Sequence, residues 1–253
     1  MFDFEDFQRT GGPVRSGLLM TGRGLEGLAA LPLLAHLERE NTPLHFVAGS
    51  GGAALVVGAL AAGHSASALL ELAHKLKPRV LKLDNPSAAW KGLFQNLHLA
   101  FDVEPDRGAF AGMLRDEMVD AWVGRADFPR TKNPYLIVAP SSEGHLDEWT
   151  DGAMSNAVFA ALSTPATLPV QAGLKRGLTN LVGVAPASLG LKVGSGAVDR
   201  GNMPHGVLLP VDLPRAAPWD LGAVAGILAA GEKALNQALP SLDRLLKKQL
   251  QAA

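Results

Sequence analysis

His45-Phe46-Val47-Ala48-Gly49-Ser50-Gly51-Gly52-Ala53-Ala54-Leu55-Val56-Val57-Gly58 joins a strand pattern to a helix pattern with only small residues between them. An apolar run stops at Gly49, a serine follows, and an alanine-rich helix begins at once. Bulky neighbours of Ser50 would collide with the backbone of so sharp a turn, and glycine adopts a positive φ without steric cost. Such a turn lifts a serine hydroxyl towards a helix N-terminus, where free N–H groups and the helix dipole favour developing negative charge. Ser50 is therefore a candidate nucleophile. The same letters also fit a buried glycine-serine turn that only packs helix on strand, and Ala48 stands where the G-x-S-x-G pattern has its first glycine.

A second glycine cluster lies upstream. Leu18-Leu19-Met20-Thr21 reads as a short buried strand, followed by Gly22-Arg23-Gly24-Leu25-Glu26-Gly27 and a helical run from Leu28 to Glu40. The spacing G-x-G-x-x-G suggests a dinucleotide fold, which needs an acidic residue at the end of the next strand to hold a ribose. That strand, Leu44 to Val47, ends in Ala48-Gly49, with Glu38 and Glu40 left behind on the preceding helix. A glycine-rich loop after one strand and a serine elbow after the next is better explained as an oxyanion loop facing a nucleophile.

Together these segments resemble the patatin-like phospholipase family. The matching text runs from Leu18 through Gly27-Leu28-Ala29, then Leu33 to Glu38, then Ala48-Gly49-Ser50-Gly51-Gly52-Ala53. The family has strand, G-G-G-x-R-G loop, helix, strand, G-x-S-x-G elbow and helix in that order. The likeness continues through Tyr135 to Ala139, Ala157-Val158 to Pro169-Val170, and Gly177-Leu178-Thr179-Asn180, and is least between about 64 and 129. It implies a three-layer α/β/α domain with a mostly parallel sheet, one domain over 1–253, and a serine acyl ester hydrolase using a Ser-Asp dyad. Ser50 would attack an ester carbonyl while backbone N–H groups of Gly22, Arg23, Gly24 and Gly51 hold the oxyanion. The implied substrate is a lipid or other ester, with no cofactor and no metal.

The departures point to a second reading. Arg23 replaces the middle glycine of the loop, and Glu26 stands where the family has arginine; a carboxylate there opposes the charge to be stabilised. Pro32 implies a kink or a later helix start. The dyad aspartate belongs in a D-G-G or D-G-A triplet after a proline segment that Ala161-Leu162-Ser163-Thr164-Pro165-Ala166-Thr167-Leu168-Pro169 resembles. In that register Lys175 takes the aspartate's place. The one literal triplet, Asp151-Gly152-Ala153, precedes the proline segment, where Asp151 reads either as the dyad base or as the cap of a helix from Ala153 to Leu162. The alternative function is a catalytically impaired patatin-like protein that binds a lipid or a protein partner.

Bulk properties agree with a densely packed α/β chain. The 253 residues are 47% hydrophobic and 19% charged, with 28 glycines and a formal net charge of −1, which gives no electrostatic case for nucleic acid. Cysteine is absent, excluding disulfides, thiolate metal sites and a cysteine nucleophile. The acidic start, Met1 to Asp6, lacks an apolar signal core and points to the cytoplasm. Phe46 to Gly63 carries no charge, yet its Gly-Ser-Gly-Gly break argues for a buried strand and central helix rather than a membrane span. Strand-like runs at Leu136–Ala139 and Val207–Val211 complete the alternation, and Pro105-Asp106-Arg107-Gly108 breaks the mid-chain helical region. His145 or His205 would be the histidine to complete a triad, but the sequence offers no partner geometry for either. The apolar residues Leu76, Val80, Leu81, Leu83, Trp90, Phe94, Leu97 and Phe101 fit core packing or an acyl groove. The amphipathic tail (Leu242, Leu245, Leu246, Leu250) fits packing on the sheet, with transient membrane-surface contact as the alternative.

Overall fold

The strand that organises the molecule is buried from end to end: β1 (Ser16–Gly22) has no exposed residue. A strand buried on both faces belongs inside a parallel sheet covered by helices. In the computed structural model the described residues are 15–42, 44–76, 107–128, 135–140, 146–163, 167–189 and 205–250. They form one six-stranded sheet in the order β4-β3-β2-β1-β5-β6. The other strands are β2 (Phe46–Gly51), β3 (Tyr135–Pro140), β4 (Leu146–Trp149), β5 (Asn180–Pro186) and β6 (His205–Val211). Neighbours pair in parallel except β3 and β4, which are antiparallel. This is the mostly parallel α/β architecture that the sequence predicts.

The strand expected over Leu44–Val47 instead runs from Phe46 through Gly49 and Ser50 to Gly51. Pairing on both sides carries it: Ser50 lies opposite Thr21 of β1 and Val138 of β3. Such tertiary pairing overrides the poor strand propensity of glycine. Gly49 is needed for a different reason. A Cβ there would press on the Val57 side chain and the Ala53 carbonyl, so its absence lets the next helix lie against the strand.

After β1, residues Gly24–Ala30 form a 3-10 helix, and α1 (Leu31–Arg39) starts only then, with Pro32 in its first turn. Proline is tolerated there because the first helical N–H groups have no intrahelical partner. Next come α2 (Ala53–Ala61) and α3 (Ala66–Lys75). All nine residues of α2 are buried, as suits a helix apolar on every side that fills a core. Further along lie α4 (Arg107–Trp122), α5 (Met154–Leu162), α6 (Val170–Lys175) and α7 (Val224–Leu250). Of the expected breaker, Arg107 and Gly108 begin α4, and Pro105 and Asp106 lie outside the described residues. Val80, Leu81, Leu83, Trp90, Phe94, Leu97 and Phe101 lie outside the described residues.

The two sheet faces carry unequal cores. One face (Leu18, Met20, Val47, Ile137, Val182 and Val184) packs with α1 to α5 and α7 in a large cluster. The other face (Leu19, Phe46, Ala48, Leu136, Val138 and Leu181) packs with Ala172 of α6 and Leu178 in a small one. Leu242 and Leu245 of the tail are buried in the large cluster, and the Asn180 side chain donates to the Leu245 carbonyl at 3.3 Å. Leu246 and Leu250 have side chains outside the description. No helix among the described residues is long and apolar enough to cross a membrane.

Candidate functional site

Period-two alternation along β2 decides where Ser50 points. Phe46 and Ala48 face the small cluster under α6, and Ser50 is the next residue of that row. The serine is accordingly 2% exposed. Its hydroxyl donates to the backbone carbonyl of Thr167, in the segment that leads into α6. The Thr21 hydroxyl lies 2.9 Å away on the neighbouring strand. With the serine proton directed at Thr167, the Thr21 hydroxyl is the donor to the serine oxygen. Thr21 and Thr167 are thus the partners that the sequence reading missed. Alternation through Phe46, Ala48 and Ser50 was the signal that could have found the first.

The turn itself falls one residue later. Gly51 closes β2 at φ +55°, Gly52 caps α2, and the Gly52 N–H donates to the Gly22 carbonyl. Positive φ among non-glycine described residues occurs at Asn41, not at Ser50. The glycine loop is clamped on this turn. A Cβ on Gly52 would be driven into the Gly24 carbonyl, and one on Gly27 into the Gly52–Ala53 backbone. Gly24 adopts φ +48° against Pro218, whose carbonyl accepts from Leu25 N–H at 2.6 Å.

Glu26 closes the loop from within. Its carboxylate accepts from the Arg23 N–H at 2.8 Å and pairs with the Arg23 guanidinium at 3.0 Å. The hydrogen bond and charge of Glu26 hold the Arg23 side chain above its ordinary pKa. One candidate oxyanion donor therefore already has an anion on it.

Among the described residues, no hydrogen bond joins Ser50 to a carboxylate. β4 runs against β3, with Glu148 opposite Val138 and Trp149 opposite Ile137, so the chain is heading towards the amino ends of the parallel strands when it reaches Asp151. Asp151 is exposed and lies two residues beyond the end of β4, three past the row that Ser50 shares with Val138 and Glu148. It does not cap α5 either. Ala153 is the N-cap residue, without a side-chain cap bond, and Met154 N–H donates to the Ala126 carbonyl at 3.1 Å. A short bridge between Asp127 and Ala153 supplies that partner, so the helix start has no need of Asp151.

Lys175 is the last residue of α6, 70% exposed, with its ammonium 3.6 Å from Glu148. Arg176 donates to the other Glu148 oxygen at 2.8 Å and stacks over the Phe46 ring at 4.8 Å. Glu148 shares the row of Ser50, but Val138 stands between them. His145 lies outside the described residues, and the backbone of His205 pairs with Asn180 at the amino end of the sheet, away from Ser50. Among the described residues no group of His, Asp and Glu is arranged to hold a metal ion.

Human GIVD cytosolic phospholipase A2, solved with a fluorophosphonate inhibitor, matches this fold with a TM-score of 0.52 at 11% identity, over 95% of this chain and 60% of that one. The type III effector protein ExoU matches over 91% of this chain and 53% of its own at 17% identity, with a TM-score of 0.46, too loose a likeness to carry an argument. The chain thus spans between half and two thirds of the length of these proteins. No family model and no curated sequence matches it. What the likeness to the phospholipase establishes is a patatin-like α/β fold.

Proposed function

We propose that this chain keeps a patatin-like phospholipase scaffold without its ester hydrolysis and acts by binding a lipid or protein partner. The observation that carries the reading is the state of the Ser50 hydroxyl. An attacking serine must pass its proton to a base as the new bond forms. Here the hydroxyl donates to an amide carbonyl, which is too weakly basic to take the proton, and the Thr21 hydroxyl donates to the serine oxygen from the other side. Glu26 on the Arg23 N–H supports the same reading, because a developing oxyanion would have to displace a carboxylate.

Hydrolysis through Ser50, with Asp151 as base and Gly22, Arg23, Gly24 and Gly51 as oxyanion donors, is the reading to be beaten. A fluorophosphonate is the natural reagent, since the similar phospholipase was solved with one. The full-length chain and Ser50→Ala are treated side by side with a fluorophosphonate probe and with p-nitrophenyl esters. Equal, background-level labelling and turnover is the expected result. Labelling or turnover that disappears in Ser50→Ala would establish the hydrolase instead.

A further inference from the structure

We infer that Gly51, not Ser50, occupies the place from which this elbow would present a nucleophile, and that the chain has a hydrogen there instead of a reactive side chain. Three observations converge. Gly51 is the last residue of β2 and adopts φ +55°, the left-handed conformation that a sharp strand-to-helix turn imposes on the residue at its apex. Ser50, one step earlier, keeps strand pairing on both sides, with Thr21 and with Val138. A side chain in such a ladder points into a sheet face, and that of Ser50 does so, towards Thr167 and α6. Gly51 pairs with Gly22 at the carboxyl ends of β1 and β2. Ligands of open parallel sheets bind just outside those ends.

The adjoining glycines fit the same register. Gly49 makes room for α2, and Gly52 lets the 3-10 segment close down on the turn. Counting back from the helix, the apex has one possible occupant. The serine of the Gly-Ser-Gly-Gly text is a strand residue that precedes it.

This deepens the non-hydrolytic reading and rests on it, but its test is separate. The chain has no cysteine, so Ser50→Cys and Gly51→Cys each carry a single thiol. Both folded variants are treated with a small methanethiosulfonate reagent, each rate being referred to that of the same variant unfolded in denaturant. Both backbones are buried, but a Ser50→Cys thiol lies in the sheet face whereas a Gly51→Cys thiol is carried on the left-handed apex, so the Gly51→Cys thiol is expected to react faster. Equal rates, or a faster Ser50→Cys, would overturn the assignment while leaving the esterase result untouched. Should Gly51→Cys not fold, melting order decides: asparagine tolerates left-handed backbone and valine does not. Gly51→Asn is then expected to melt above Gly51→Val, and the reverse order, natural for a strand residue, would overturn the assignment.

Discussion

The Thr21 and Ser50 hydroxyls lie 2.9 Å apart across two neighbouring parallel strands, both residues at most 3% exposed. They form a polar ladder rung inside the sheet, completed by the Thr167 carbonyl. Each hydroxyl would be costly to bury alone. Together they satisfy one another and tie the segment before α6 to the middle of the sheet.

Removing one member should therefore be felt in stability. Thr21→Val and Ser50→Ala are each expected to lower unfolding free energy by about 1–2 kcal/mol, because a buried hydroxyl or carbonyl loses its partner. The double variant should cost less than the sum, with a coupling of about 1 kcal/mol. Denaturant titration of the four proteins measures it. Strict additivity would mean that the two hydroxyls do not interact.

Rebuilding the dyad at the proline-segment register should fail. Lys175→Asp with Arg176→Gly adds a carboxylate beside Glu148 and removes the guanidinium that pairs with Glu148 and covers Phe46. The expected outcome is no gain of esterase activity and a lower melting temperature. A rise in p-nitrophenyl ester turnover would show that residue 175 reaches the serine.

Glycines of this chain should fall into two groups. Gly52→Ala drives a methyl group into the Gly24 carbonyl and is expected to cost about 3 kcal/mol or more. Gly177→Ala has φ +65° but nothing within 4 Å, so only the left-handed penalty of about 1 kcal/mol should appear. Thermal melts of the two variants should differ by several degrees. Equal melting would mean that the loop yields to the elbow.

Glu38 links α1 to the start of α3 and sets a pH dependence. Its carboxylate accepts from the Ser67 hydroxyl at 2.6 Å and the Ser67 N–H at 2.9 Å, and these bonds hold its pKa below the usual carboxylate value. A depressed folded pKa contributes stability above the unfolded value, lost as pH falls through the folded one. Glu38→Gln is expected to cost at most about 1 kcal/mol at neutral pH, given the exposure of the pair, and progressively less as pH falls through the lowered folded-state titration of the carboxyl. Melting curves at pH 7 and pH 3 would show a gap that closes, whereas a constant gap would indicate lost packing.

Much of the fold was legible because apolar runs and glycine clusters report local geometry. The strands at β1, β3 and β6 emerge from their runs, and Pro32 correctly postpones α1. The site was less legible. Gly-Ser-Gly-Gly contains the right residues for an elbow but does not say which one stands at the apex. That is set by β2 running on past Gly49, which depends on pairing with β1 and β3 and hence on distant residues. The cap reading of Asp151 failed for a similar reason, since the Ala126 carbonyl that accepts from Met154 at the start of α5 lies 28 positions upstream of it. β5, with Asn180 and Gly183 in its run, gave no alternating pattern.

The central position of β1 also governs how the molecule can be made. One edge of that strand finds β2 about thirty residues later, but its other edge waits for β5, whose first paired residue is Asn180. Until synthesis has passed Asn180 and the rest of β5, an apolar strand presents unsatisfied amides along a whole side. Such long-delayed closure slows folding and leaves a template for mispairing. Nascent chains halted before β5 should therefore be sticky, and the late strand acts as the seal.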